Sequence, residues 1–307
     1  MRYVRKPWKA LGRLSNLRKP WPALGRLRNV WKRRRAMRWF RPGAVVRGRY
    51  EVVKPLGEGS YGLAYLCRDR ERGGRLCVLK HVQPLRGGGA KSEAAYGYET
   101  DMLDRFRHPS IPRLIERFRY RGANCFTMEY VEGSSLEEQL LEGARVFTER
   151  ESLSLLRKLL DVVAVVHAAG VVHRDIRIAN VIASEDRVHL IDFGLARDVG
   201  GANGIGGVAE TDDVRDDDPP EKILRRRLHV ESDFYAMGHL LLFLLYSAHP
   251  GDETESEERG WEEELADLSP RTKKLLRRLL MAEQPYASCA ELAADLDEAI
   301  RACAPVP

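Results

Sequence analysis

The sequence predicts an α+β chain: a small antiparallel β-sheet lobe carrying one helix, followed by a larger, mainly α-helical lobe. Three observations predict it. Residues 45–130 hold short alternating apolar runs broken by glycine turns, the pattern of half-buried strands. One helical stretch, Glu93 to Phe106, interrupts those runs. Beyond Gly133 the apolar period lengthens to that of helices, over 148–169, 230–247, 269–281 and 288–302.

The elements follow in chain order. Tyr50–Leu56 and Leu63–Cys67 read as strands around a glycine-rich turn. RLCVLKHVQ, after the Gly73-Gly74 turn, supplies the next strand. Arg113–Tyr120 and Cys125–Tyr130 complete the sheet. Val188–Ile191 is a further short strand, and residues 198–220, rich in Gly and Asp, read as a long loop. A loop of that length in a compact domain is usually functional.

Before all this lies an arm of different composition. Residues 1–50 hold 17 of the 51 Lys and Arg and no acid; the first acid is Glu51. The other 257 residues carry 34 basic against 45 acidic side chains, a net of −11. Within the arm RKPWKALGRLSN at 5–16 returns as RKPWPALGRLRN at 18–29, and four of the five tryptophans (Trp8, Trp21, Trp31, Trp39) lie there. Residues 1–43 are therefore set apart as a basic, tryptophan-rich arm. Its cations and indoles suit an anionic membrane surface, nucleic acid or an acidic protein face, and a solvated, disordered tail is the plain alternative. The five scattered cysteines show no metal-ligand spacing and fit reduced thiols of a cytosolic protein. The basic start lacks the apolar run of a secretory signal. The longest apolar run, Leu240–Tyr246, is far short of the ~20 residues of a spanning helix. A cytoplasmic chain follows, with peripheral membrane attachment through the arm left open.

The chemistry-bearing residues fall in a fixed order. Gly57-Glu58-Gly59-Ser60-Tyr61-Gly62 lies between two strands rather than between a strand and a helix. That context points to a hairpin whose backbone covers phosphates, not to a dinucleotide fold. Lys80 ends the following strand, where an ammonium can reach α- and β-phosphates, and Glu99 on the next helix can hold it as an ion pair. In His173-Arg174-Asp175, with Asn180 five residues on, Asp175 can accept a hydroxyl proton and Asn180 offers a neutral oxygen to Mg²⁺. Asp192, in Asp192-Phe193-Gly194, supplies the hard anionic ligand that Mg²⁺ on nucleotide phosphates requires. Each alone is weak, and an isolated Lys80 or Glu99 would read as surface charge. Their shared order and context carry the inference.

On these motifs residues 44–303 resemble a eukaryotic-type (Hanks-type) protein kinase domain of the bacterial serine/threonine kind, with an N-lobe over about 44–131 and a C-lobe over about 132–303. The resemblance implies the bilobal kinase fold, ATP and Mg²⁺ as cofactors, a protein substrate, and transfer of the γ-phosphate to a protein hydroxyl. It places Leu56, Gly57, Glu58, Gly59, Ser60, Tyr61, Gly62, Ala64, Val78, Lys80, Glu99, Met128, Glu129, Val131 and Ile182 around the nucleotide. Met128 is the gatekeeper, Glu129 to Val131 the hinge, and Ile182 the pocket floor. Asp175, Lys80, Arg177 and Asn180 become the catalytic set, Asn180 and Asp192 the metal ligands. Leu103, Leu114, His173 and Phe193 match the hydrophobic spine.

The chain departs from the family at several places. Ala64 and Val78 exchange the usual valine and alanine, a swap that conserves volume. Arg177 replaces a lysine, keeping the charge on a planar fork. Val214 stands where serine/threonine kinases carry a threonine. Thr211 is the sole hydroxyl between Gly194 and Glu221, and Glu210 occupies the usual phosphosite offset. Glu210 or the Asp212–Asp213 pair is expected to partner Arg174 without phosphorylation, with a flexible acidic loop as the plain alternative. Pro285 stands where an arginine would pair with Glu221, leaving Arg225–Arg227, or nothing, to do so. These departures leave open a kinase-like phosphotransferase acting on a small molecule or lipid-linked sugar, and a pseudokinase scaffold. Retention of Lys80, Asp175, Asn180 and Asp192 argues against the scaffold.

Overall fold

The computed structural model describes residues 39–59, 62–82, 89–184, 186–199, 220–249 and 260–303. Contacts divide the chain into two compact units, with the boundary between Glu132 and Gly133.

The first unit is a six-stranded sheet with one helix. Its strands are β1 (Val45–Val46), β2 (Tyr50–Gly59), β3 (Gly62–Asp69), β4 (Arg75–Val82), β5 (Leu114–Tyr120) and β6 (Ala123–Glu129), in the order β1-β2-β3-β4-β6-β5, with every neighbouring pair antiparallel. The helix α1 (Gly89–Arg105) is inserted between β4 and β5. The β2–β3 turn demands its last glycine: a Cβ on Gly62 would lie 2.2 Å from the His81 carbonyl oxygen, because β3 and β4 run against each other there.

Alternation along the strands gives this sheet two different faces. Tyr65, Cys67, Cys77, Leu79 and Cys125 point one way, into a core completed by Val46, Tyr50, Val52 and Phe118. Directly opposed residues share a face in an antiparallel ladder. The pairs Gly57↔Ala64, Ala64↔Lys80, Val78↔Met128 and Lys80↔Phe126 therefore set these residues on the other side. The helix α1 packs on that side, with the Tyr96 ring 6.2 Å from Phe126.

Phe40 belongs to the core. It is 1% exposed, stacks on Tyr65 at 4.8 Å and meets His81 at 4.8 Å and Tyr120 at 5.9 Å. Burial lowers the His81 imidazole to about 4, so it is a neutral partner there. Trp39 packs beside it, its ring under the Arg121 guanidinium at 4.9 Å. The sequence places both aromatics in the arm; the packing places them in the β-rich unit. Residues 1–38, with their tandem repeat, lie outside the described residues.

The second unit is mainly helical: α2 (Leu136–Leu141), α3 (Glu149–Ala168), α4 (Pro220–Arg226), α5 (Val230–Tyr246), α6 (Trp261–Glu264), α7 (Pro270–Leu279) and α8 (Cys289–Ala302). Capping boxes start α2 at Ser135 with Glu138 and α3 at Thr148 with Glu151. Ser269 caps α7 with Pro270 in its first turn, and Ser288 caps α8. Between Ser232 and Tyr246 α5 is buried on nearly all sides, as a central helix must be apolar all round. Two small ladders lie among the helices: β7 (Val171–Val172) with β10 (Arg197–Asp198), and β8 (Val181–Ala183) with β9 (Val188–Leu190). Among the described residues no helix is long and apolar enough to cross a membrane.

Removing the Phe40 ring empties a fully packed site. Phe40→Ala is expected to destabilise the β-rich unit by about 3–5 kcal/mol, read as a lower denaturant midpoint.

Candidate functional site

In the β-rich unit the sheet face opposite the aromatic core gathers the expected nucleotide residues. Ala64, Val78, Lys80 and Met128 share it by register. Leu56 sits in the irregularity of β2 between Pro55 and Gly57 and leaves 42% of its surface exposed, an apolar side chain with no core to fill. A Cβ on Gly57 would meet nothing within 4 Å, so protein packing does not require that glycine. Room above the backbone is what a phosphate chain needs there. Glu58 and Gly59 pair with Leu63 and Gly62 to close the hairpin; Ser60 and Tyr61 lie outside the described residues.

Lys80 forms an ion pair with Glu99 of α1. Glu99 is only 3% exposed, so its carboxylate has exchanged water for this ammonium. The Lys80 ammonium also stands 5.9 Å over the Phe126 ring. At the end of β6 the Glu129 amide donates to the Arg113 carbonyl at 2.9 Å, and its carboxylate accepts the Arg113 amide at 3.2 Å. Val131 follows, half-buried. Leu103 is fully buried in the same unit.

In the helical unit the loop from His173 to Asn180 is built on Asp233. This carboxylate, 0% exposed on α5, accepts the His173 amide at 2.9 Å and the Arg174 amide at 2.8 Å. Its Oδ2 also meets His167 Nε2 at 2.8 Å. Arg174 adopts a left-handed backbone (φ 65°), a conformation costly for a side chain with a Cβ and held here by those bonds. Its guanidinium donates to the carbonyls of Arg226, at 2.8 Å, and Leu195, at 3.4 Å. His173 is wholly buried, which lowers its pKa; it accepts the Asp175 amide at 3.3 Å and meets Phe193 edge-on at 4.8 Å.

Asp175 is steadied by Asn180, whose amide nitrogen donates at 2.9 Å to both the Asp175 carbonyl and its Oδ2. That leaves the Asn180 amide oxygen for another partner. The β8–β9 hairpin then sets Asn180 beside the aspartate of Asp192-Phe193-Gly194. Val181 pairs with Leu190, and the Ile191 amide donates to the Asn180 carbonyl at 2.9 Å. Asp192 itself has a left-handed backbone (φ 69°) and accepts the Gly194 amide at 3.3 Å. Among the described residues no group of three or more His, Cys, Asp or Glu is placed to hold a metal ion by itself. One amide oxygen and one carboxylate suit Mg²⁺, which is characteristically held by one or two protein oxygens with substrate phosphates and water completing the shell. Ile182, on β8, is buried, and a Cβ on Gly133 would stand 3.1 Å from its Cγ2. Arg177 is exposed on an extended backbone.

Glu221, deprived of a partner at Pro285, pairs with Arg225 at 3.0 Å, within the set expected from the sequence. Glu210, Thr211, Asp212, Asp213 and Val214 lie outside the described residues, so the expected partnership with Arg174 does too. The sequence did not point to Arg226, whose guanidinium reaches Asp175 Oδ1 at 3.6 Å. Nor did it point to His167, which touches Asp233 on one side and Cys289 Sγ, at 3.4 Å, on the other. A histidine six residues before His173, on the last turn of a helix, was the available signal for the second.

Burial by itself would lower the His167 imidazole, but the hydrogen bonds to Asp233 and Cys289 outweigh it and raise it to about 9. A folded value above the unfolded ~6.5 gives stability that is complete below pH ~6.5 and lost as pH rises through about 9. Relative to His167→Gln, the unfolding free energy is expected to drop by on the order of 2–3 kcal/mol between pH 6.5 and pH 9.5, measured by denaturant titration of both proteins at the two pH values.

The protein kinase domain family matches residues 50–293. A Bacillus subtilis (strain 168) protein named "Probable serine/threonine-protein kinase YbdM" is 32% identical over 259 residues, covering 84% of this chain and 92% of that protein. The serine/threonine-protein kinase pkn2 of Myxococcus xanthus is 30% identical over 219 residues, 68% of this chain but 25% of that longer protein. Among solved structures, the kinase domain of Mycobacterium tuberculosis PknI superposes with a TM-score of 0.60 at 23% identity, over 84% of this chain and 98% of that one.

Proposed function

The chain belongs to the protein kinase family, and on that premise we propose that it moves the γ-phosphate of ATP to a serine or threonine hydroxyl of a protein through the residues assembled above. The observation that carries the assignment is the pairing of a buried Glu99 with Lys80 in one unit and the Asp175–Asn180–Asp192 arrangement in the other.

In this reading Leu56, Ala64, Val78, Met128 and Ile182 contact adenine, Glu129 to Val131 form the hinge, and the Gly57–Gly62 backbone covers the phosphates. Lys80, aimed by Glu99, neutralises charge on the α- and β-phosphates. Asp175 orients the acceptor hydroxyl and accepts its proton. Arg177 offsets charge on the transferring group. Asn180, through its amide oxygen, and Asp192, through its carboxylate, hold a divalent cation, with Mg²⁺ the natural fit. Bound there, it would screen the phosphate oxygens as charge develops. Catalysis of this kind is positioning and electrostatics, so its residues must be rigid. The double anchor on Asp175 and the buried anchor at Asp233 meet that need. The basic residues 1–38 we assign, on composition, to an anionic partner surface, with the kinase unit itself cytoplasmic. Binding of the full chain to anionic vesicles or duplex DNA should fall steeply with salt and vanish when residues 1–38 are deleted.

The test of the reaction is radiolabelled ATP with generic protein acceptors. Wild type should label protein, and Asp175→Ala should lower that rate by roughly 10²–10⁴-fold. Arg177→Lys, which keeps the charge, should stay within about tenfold of wild type. Label that appears on small molecules alone would overturn the protein-kinase assignment.

A further inference from the structure

Cys289 differs from every other cysteine in the chain. Cys67, Cys77 and Cys125 are buried in the β-rich unit. Burial pushes all three thiols up, Cys77 and Cys125 to about 12, which makes them poor nucleophiles. Burial also pushes up the Cys303 thiol. Cys289 is half-buried and opens α8, directly after its cap Ser288. Its sulfur stands 3.4 Å from His167 Nδ1, while His167 Nε2 stands 2.8 Å from Asp233 Oδ2. A nucleophile, a base and an orienting carboxylate are thus aligned from three helices, α8, α3 and α5.

The proton inventory favours a reactive sulfur. The Asp233 carboxylate is an acceptor, so Nε2 carries a proton towards it. Nδ1 is then left to share a proton with the Cys289 sulfur. Two features thus converge on one sulfur, the first turn of α8 and an imidazole set against it. A proton released when the sulfur attacks an electrophile has Nδ1, 3.4 Å away, as its relay, and the far side of the ring rests on a fully buried carboxylate.

We propose that Cys289 is a modification site, a thiol that reacts with soft electrophiles and with peroxides, and that its modification weakens phosphotransfer by disturbing His167 and, through it, the Asp233 anchor. The second half rests on the kinase assignment above. With hydrogen peroxide, the sulfur attacks one oxygen, an S–O bond forms and the O–O bond breaks. Sulfur is oxidised by two electrons to the sulfenic acid, and the peroxide is reduced. The departing hydroxide takes the proton from His167 Nδ1 and leaves as water. With a maleimide, an S–C bond forms, the alkene electron pair moves to the neighbouring carbonyl as an enolate, and a proton completes the addition. Either product changes volume and hydrogen bonding at an atom 3.4 Å from the imidazole. The same imidazole compensates the carboxylate that holds the His173 and Arg174 amides, and Asp175 is the next residue in the chain.

The experiment labels the full-length protein with limiting N-ethylmaleimide and maps the adduct by peptide mass spectrometry, with hydrogen peroxide followed by a sulfenic-acid probe as a parallel arm. Cys289 should be labelled at least about tenfold faster than Cys303, and His167→Gln should slow that labelling by a similar factor. Labelling should lower the unfolding temperature, and kinase activity should fall several-fold in step with Cys289 occupancy. Cys289→Ser should keep the untreated activity and lose the sensitivity. Equal labelling of Cys303 and Cys289, or rates unmoved by His167→Gln, would overturn the site. Equal inactivation of Cys289→Ser by the reagents would overturn the coupling. Should the untreated protein show no Asp175-dependent transfer, the kinase assignment fails, while the labelling ratio and the temperature shift still judge this site and its coupling.

Discussion

A single buried carboxylate governs the loop from His173 to Asn180. Asp233 has no exposure to water, and an uncompensated charge there would cost several kcal/mol. Its compensation comes from two loop amides and one imidazole. Those bonds hold Arg174 in a left-handed conformation, and Asp175 inherits its place from them. The burial of α5 on nearly every side is what makes the anchor rigid, since no water can replace a lost bond. Structure and chemistry meet at one atom pair, the Asp233 oxygens.

The β-rich unit solves a different problem, that of giving one thin sheet two jobs. Strand alternation assigns odd and even positions to opposite faces. One face makes an aromatic core with Phe40, Tyr50, Tyr65 and Phe118. The other carries Ala64, Val78, Lys80 and Met128. A register slip of one residue would exchange the two sets and destroy both. Gly62, pressed against the His81 carbonyl, and the aromatic stack that Phe40 closes pin that register.

One departure from the family pattern, Pro285, is met by a local substitution of partner. Glu221 finds Arg225, one turn along its own helix, in place of a distant arginine. Arg278, meanwhile, lies over Tyr286 at 3.8 Å and pairs with Asp295 and Glu291, tying α7 to α8 without Glu221. The same short helix that carries Arg225 brings Arg226 to Asp175, so the neighbourhood of that carboxylate is more cationic than Arg177 alone would make it. Arg226 also accepts the Arg174 guanidinium through its carbonyl, which links that helix to the loop from two directions.

Local information determined most of what the sequence could say. The glycine turn, Lys80, the His173–Asn180 loop and Asp192 are legible because their chemistry depends on short spacings and on the strand or helix that carries them. The larger helices are legible because their apolar periods run long enough to set a repeat, and the structure caps three of them at Thr148, Ser269 and Ser288. The six-residue α2 and the three-residue β8 were not, since too few residues repeat to set a period, although β9, the partner of β8, was legible as the short strand at Val188–Ile191. What only the tertiary structure decided are meetings of residues far apart in the chain. Phe40 became core although composition assigned it to the arm. Arg226 reached a loop whose Arg174 lies 52 positions earlier, and Cys289 reached His167 across 122. Such contacts leave no period or spacing in the sequence, because they are set by how helices pack and not by what lies next along the chain.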